Sequence, residues 1–316
     1  MAKASKTLDQ KNNLQGMVKA GELIEIKQSH LLTLQDGRIF DRLIEHAWPT
    51  IKSQTEFRCP IHMVRGPTHR GSERVRDSVA RLMNTMLTVP FLDETDGKRK
   101  VLQTTLIAGT VTTEDENDPT GEIVYSFSPQ LLRVLQNSNY WGRIKSHISY
   151  ALSSKYAYRL YQAVALRINR EMVSQDFTED GLRELLAVAP GQYEKFTHLN
   201  QSVITPAVEE VNALTDFVVE IEPIRPLGRV RGAISGYRVG WRKKTPAEQD
   251  AVLDELLRHK AGRKARIRGT VERLTVDETV WLGSDGPTRA LPTPKPTPGA
   301  RPARSGEAKE QTAEPV

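Results

Sequence analysis

The order of hydrophobic patterns between residues 152 and 244 constrains this chain more than any other feature. A helix-period stretch (LSSKYAYRLYQAVALRI) is followed by a second (TEDGLRELLAV), then by a long third (THLNQSVITPAVEEVNALT), then by a basic hairpin. Helix, helix, helix and β-wing in that order is how a winged-helix module is assembled. The first helix carries Tyr156, Leu160 and Val164 on one line and Ala157, Tyr161 and Ala165 on the next. Thr178 is placed to cap the second helix, and Pro190 with Gly191 makes the turn into the third. There Leu199, Val203, Ala207, Val211 and Leu214 form the apolar stripe. Pro206 removes a backbone donor inside that helix and predicts a bend. Strands over 217–221 and 233–241 flank Pro226-Leu227-Gly228. The hairpin carries Arg225, Arg229, Arg231, Arg238, Arg242, Lys243 and Lys244, with no acidic residue between 225 and 244.

The preceding half repeats that order less plainly. Residues 1–30 are polar and read as a flexible arm ending in a short strand. From Leu34, apolar residues at Ile39, Phe40, Leu43, Ile44, Ala47 and Trp48 predict a helix that Pro49 stops. Ser72 caps a further expected helix bearing Val75, Val79, Leu82, Met83 and Met86. Strands are expected over 87–92, 101–111 and 122–127, and Ser128-Pro129 opens another helix. The fold class is therefore α+β: two tandem winged-helix domains, a flexible N-terminal arm and a disordered C-terminal tail. The divisions are an arm (1–30), a first module (31–148), a second module (149–244), a helical basic extension (245–282) and a tail (283–316). The extension holds Arg258, Lys260, Arg263, Lys264, Arg266 and Arg268 with no acid among them, and the tail is rich in Pro, Thr and Ala.

A net charge of +6 over 316 residues suits a polyanionic partner. The single cysteine, Cys59, excludes an intrachain disulfide and a cysteine-based zinc site, and reads as a packed side chain. No apolar run reaches membrane-spanning length and the start lacks the apolar core of a signal peptide, so a soluble, cytoplasmic protein with no membrane partner is expected.

Geometry then assigns candidate DNA-binding residues. In the third helix of the second module the N-terminal positions meet base edges in the major groove. Here they are Thr197, His198, Asn200 and Gln201, with Lys195 just before them on a phosphate. Asn and Gln can each bond adenine at two points, which singles out Asn200 and Gln201. Arg225, Arg229 and Arg231 on the wing, and Arg70, Arg74 and Arg76 in the first module, are the phosphate anchors. Arg81 shares a helix face with Arg74, while Glu73 and Asp77 stand ready to pair with these arginines. No Gly-rich nucleotide loop is present and the seven histidines are scattered singly, so no catalytic residue, metal or cofactor is assigned. Tyr156, Tyr158 and Tyr161 resemble a nicking-tyrosine cluster but lack a metal site beside them.

Four blocks carry a family likeness: Ser154-Lys155-Tyr156-Ala157-Tyr158-Arg159-Leu160-Tyr161, Gly181-Leu182-Arg183-Glu184-Leu185-Leu186, Tyr193-Glu194-Lys195-Phe196, and the run from Val203 through Pro206-Ala207, Glu210, Asn212 and Thr215-Asp216. In this order they resemble the Rep proteins of theta-replicating plasmids, initiators that bind repeated origin sequences (iterons). The likeness is strongest over residues 122–242. Where that family often has consecutive basic residues before the proline, this chain has Asn200-Gln201-Ser202. The resemblance implies a non-enzymatic initiator whose monomers bind direct repeats in double-stranded origin DNA and promote duplex opening. It also implies recruitment of the host helicase, through its loader or the host initiator. Homodimers in equilibrium with monomers, joined through the first module, would repress the initiator's promoter or restrain copy number. The strand over 101–111 is the interface candidate, because an apolar edge needs covering. The alternative is a winged-helix transcriptional repressor on an inverted repeat.

Overall fold

The structure, a computed structural model, describes residues 6–65, 73–93, 95–112, 121–225 and 234–270. The first strand corrects the expected arm. β1 (Met17–Ala20) is buried along its whole length and is followed directly by the one-turn α1 (Gly21–Ile24). It pairs antiparallel with β7 (Trp141–Ile144), from Met17 opposite Ile144 to Ala20 opposite Trp141. Further upstream, the Thr7 amide donates to the Ser138 carbonyl at 2.8 Å and the two hydroxyls lie 2.7 Å apart. The segment looks polar because Lys19 and Glu22 sit in it, yet both are buried. Met17, Val18, Leu23 and Ile24 supply the apolar area that holds it down, each fully buried side chain stabilising by roughly 1.5–3 kcal/mol.

The first module begins with α2 (Leu34–Ala47). Thr33 and Asp36 close a capping box, with reciprocal bonds of 3.2 Å and 2.8 Å. Then come β2 (Phe57–Pro60), α3 (Ile61–Val64) and α4 (Glu73–Asn84). The expected cap Ser72 lies outside the described residues. The strand predicted over 101–111 is in fact two. β3 (Leu87–Leu92) and β4 (Arg99–Thr104) make a separate ribbon, and β5 (Ile107–Thr112) belongs to another sheet. The break falls where Leu106 is buried and the Thr104 hydroxyl donates to Ser128 Oγ at 2.8 Å. β6 (Glu122–Phe127) completes a three-stranded sheet of order β2-β6-β5. α5 (Pro129–Asn137) follows, with Ser128 capping it and Pro129 at its first turn. Phe57, Tyr125 and Phe127 cluster with ring centroids 5.5–5.6 Å apart. The Tyr125 hydroxyl donates to the Leu43 carbonyl at 2.6 Å, which ties the sheet to α2.

After β7 and the short α6 (Ser146–Ala151), the second module repeats the plan. It runs α7 (Lys155–Arg167), β8 (Ser174–Phe177), α8 (Glu179–Leu185), α9 (Phe196–Leu199), α10 (Thr205–Leu214), β9 (Phe217–Ile224) and β10 (Gly236–Lys243). Its sheet has the order β8-β10-β9. In both modules the last strand therefore lies between the first two, so two winged-helix units follow one another in a single chain. β8 carried no legible signal, because four residues of mixed polarity fix no period. α11 (Pro246–Leu257) and α12 (Arg263–Ile267) follow the second module. The Pro-rich tail lies outside the described residues.

α7 is the axis of the molecule. Ser154 caps it at 3.1 Å from the Ala157 amide, and no Gly or Pro interrupts it. Every residue from Leu160 to Arg167 is buried, a pattern that leaves no solvent face over that span. Module-one elements close over one side, and Gly142 of β7 makes that possible. A Cβ there would stand 3.1 Å from the Leu166 amide nitrogen and 3.2 Å from the Ala165 carbonyl carbon.

Glu22 yields a stability test. Burial, with a smaller push from the Glu25 charge, raises its carboxyl from 4.5 to about 7. Below pH 4.5 folding costs nothing at this group; as pH rises toward 7 the unfolded chain ionises first and stability falls, with the full cost above 7. Glu22→Gln should raise stability at pH 8 by roughly 1–3 kcal/mol and leave it unchanged at pH 4. Urea denaturation at the two pH values measures both.

Candidate nucleic-acid interface

The third helix of the second module is three segments in line. α9 leads into one π turn (Asn200–Ile204), which leads into α10. The cause is Pro206: with no N–H it cannot bond the Ser202 carbonyl, and the backbone widens to an i→i+5 bond from the Thr205 amide to the Asn200 carbonyl. The expected bend is thus a local widening. Leu199, Val203, Ile204 and Ala207 are buried on the inner side. Lys195, Thr197, His198, Gln201, Ser202 and Thr205 are exposed on the outer, and Asn200 is half-buried. A row of donors and acceptors on one rigid face can follow base edges, and a wider turn sets Gln201 off a regular helical position.

Two side chains of the family blocks, neither assigned a role in the sequence reading, hold this face in place. The turn into α9 contains Ala187, Gly191 and Tyr193 at positive φ (59°, 76° and 53°), strained for the two that bear a Cβ. Arg183 secures it, donating to the Gln192 and Tyr193 carbonyls at 2.9 and 2.8 Å and to Glu179 at 3.0 Å. The signal for it was the arginine inside the Leu182-Arg183-Glu184-Leu185 helix, whose carbonyl partners are invisible in sequence. Asn212 is the second: its amide nitrogen donates to the Val219 carbonyl at 2.9 Å and its oxygen accepts from the Val219 amide at 2.7 Å. That pairing locks α10 to β9. Phe196, at the start of α9, stacks on Tyr237 of β10 with centroids 6.4 Å apart.

The wing is less cationic than its sequence. Arg238 forms a two-pronged pair with Asp176 of β8 at 2.7 and 2.8 Å, which lowers the Asp176 carboxyl. Arg242 does the same with Glu248 at 2.8 Å for both bonds. Lys244 is buried and donates to the Asn212 carbonyl. Arg225 and Lys243 are exposed, while Arg229 and Arg231 lie outside the described residues. Arg238, Arg242 and Lys244 are therefore each tied to a framework partner.

In the first module Arg74 is exposed and Arg76 half-buried on α4; Arg70 lies outside the described residues. Arg81 is exposed on α4 but already carries a carboxylate partner. Its guanidinium grips the fully buried Asp36 carboxylate at 2.8–3.1 Å, the bond that fixes α4 on α2. The basic extension is likewise paired in part: Glu255 accepts from Arg263 and Arg266, and Arg268 pairs with Glu209 at 3.0 Å. Among the described residues no group of three or more His, Cys, Asp or Glu is placed to hold a metal ion, and no described helix is long and apolar enough to cross a membrane. Cys59 is buried on β2, and burial raises its thiol to about 11.

Arg183→Ala should weaken sequence-specific DNA binding by about 1–3 kcal/mol, and Arg183→Lys should not restore it, because a single ammonium cannot reproduce the fork. Titrations against specific and random duplexes read both. Replacing Asn200 and Gln201 with Ala should relax base preference at particular positions, each bidentate contact being worth about 1–3 kcal/mol. Uniform weakening on all sequences would reassign that face.

Comparison with known proteins agrees with this geometry. Residues 16–165 match a family model described as initiator replication protein, WH1. Residues 178–238 match one described as initiator Rep protein, WH2. No curated protein matches the chain. The first match begins at Gly16, next to β1, and runs to Ala165, so residues 16–30 of the expected arm and most of α7 fall within the first matched domain. Two winged-helix units in one chain, each matched in order, establish that the protein belongs to the initiator Rep family, the replication initiators of plasmids.

Proposed function

We propose that this initiator binds direct repeats at its plasmid origin as a monomer, using both modules on each repeat. The observation that carries the reading is the exposed row Lys195, Thr197, His198 and Gln201 on a helix buttressed by a wing, in a chain that holds a second unit of the same topology. Bound side by side on the iterons, such monomers would strain the adjacent AT-rich duplex and bring the host helicase to it, through the helicase loader or the host initiator. This action belongs in the cytoplasm, where plasmid DNA resides. A homodimer in equilibrium with the monomer would limit copy number. Its interface would include β4, an edge strand whose Val101 is 64% exposed.

The protein is proposed to act without catalysis of its own. Two of the three tyrosines that resemble a nicking cluster have structural duties: the Tyr158 hydroxyl donates to Asp41 at 2.6 Å, and that of Tyr161 accepts from the Lys145 amide at 2.8 Å. Burial raises both phenols, which opposes nucleophilic attack.

Footprinting and titration of the origin region should find several direct repeats of about two helical turns, each saturated by one monomer in the same orientation. Protection of one inverted repeat over a promoter, and nothing else, would favour a repressor. Supercoiled origin DNA with divalent metal should give no covalent adduct; an adduct would overturn the non-catalytic reading. Lys195→Ala should lower the slope of log K against log salt by roughly 0.9. Arg238→Ala and Arg242→Ala should leave it unchanged.

A further inference from the structure

Helix α4 of the first module and the reading helix of the second are joined by a line of contacts that runs along α2 and passes through one buried carboxylate. Arg81 of α4 grips Asp36 of α2. One turn and a half further along α2, Asp41 is buried at 4% exposure and takes three bonds from other elements. Lys19 Nζ of β1 donates to Oδ1 at 2.6 Å; the Tyr158 hydroxyl and Gln162 Nε2 of α7 donate to Oδ2 at 2.6 and 2.9 Å. Lys19 also donates to Gln162 Oε1 at 3.1 Å, which closes the cluster. α7 in turn packs on α10, the continuation of the second reading helix. Gly37 admits the Tyr158 ring, since a Cβ there would lie 2.7 Å from Cε1. Around this hub the same α7 block adds Arg159, which donates to the Ile24 carbonyl at 2.7 Å.

We propose that Asp41 is a positioning residue that fixes the separation and rotational phase of α4 and α9, and thereby sets the spacing of the base blocks the protein accepts. The inference rests on the reading above that both modules contact one repeat. The hub is directional: a carboxylate with three donors at fixed angles admits one arrangement, whereas apolar surfaces slide. Two helices displaced by one base pair turn by about a tenth of a helical turn relative to the groove, so a rigid pair discriminates by spacing as well as by sequence.

Two measurements test it. Spin labels at Ala80→Cys on α4 and Thr205→Cys at the start of α10 report the separation without DNA; both positions are exposed, and Cys59 is buried at 1% exposure. The parent should give one narrow distance distribution and Asp41→Asn a broad or shifted one. Tyr158→Phe, which keeps the ring packing and removes one donor, should lie between. Binding is then titrated on a single repeat with two base pairs inserted between its contacted blocks. The parent should lose about 10–100-fold in affinity, the worth of one or more base contacts, and Asp41→Asn less than about threefold. Unchanged distance distributions in both variants, or an identical insertion profile, overturns the inference while leaving origin binding intact. Failure of the parent to bind any direct repeat overturns the origin-binding reading instead, and the spin-label distances still judge the hub.

Discussion

The carboxylate of Asp41 is the point on which both halves of this protein turn. It is buried between β1, α2 and α7, and each bond it accepts comes from a different side chain of those neighbouring elements. Burial draws the Lys19 ammonium below its ordinary pKa, and the Asp41 charge opposes that shift. Such a cluster is weak evidence for stability, since apolar groups of equal volume often serve as well. Its value lies in specifying one arrangement. Removing the carboxylate would leave a buried ammonium and two buried polar groups unmatched, a larger cost than the cluster's net gain.

The blocks by which the chain resembles other initiators fall mainly on this framework. Within Ser154 to Tyr161, Ser154 caps α7, Tyr158 meets Asp41, Arg159 holds the α1 carbonyl and Tyr161 receives the Lys145 amide. In the block ending at Asp216, Glu210 accepts the Ser153 amide at 2.6 Å, Asn212 splices α10 to β9, and Asp216 pairs with Lys145. Likeness to the family is thus concentrated where the two modules are fastened to each other and where the helix is fastened to the wing. The residues facing outward, Asn200-Gln201-Ser202, depart from the family's basic pattern, as expected if the frame is shared and the sequence read is particular to each origin.

Legibility followed the range of the interactions. Local signals were read correctly: Ser128 with Pro129 opened α5, Thr178 capped α8, and the stripe from Leu199 to Leu214 named the inner face of the third helix. Long-range partners were not. Arg238 counted among the cations of an acid-free hairpin because Asp176 lies 62 residues away, and Lys19 looked like part of a solvated arm because Asp41 and Gln162 lie 22 and 143 residues away. β1 and β8 are short and owe their form to a neighbouring strand instead of to their own pattern. The outward row from Lys195 to Gln201 was legible because a helix with a buried stripe dictates its own opposite face.

The central claim is that a single chain presents two readers as one rigid body to one stretch of duplex. Hydroxyl-radical footprinting of a monomer on a single repeat tests it most directly. The account predicts two protected windows on the same face of the duplex, centred about one helical turn apart, roughly 10 base pairs. A single window, or two whose separation varies from molecule to molecule, would contradict it.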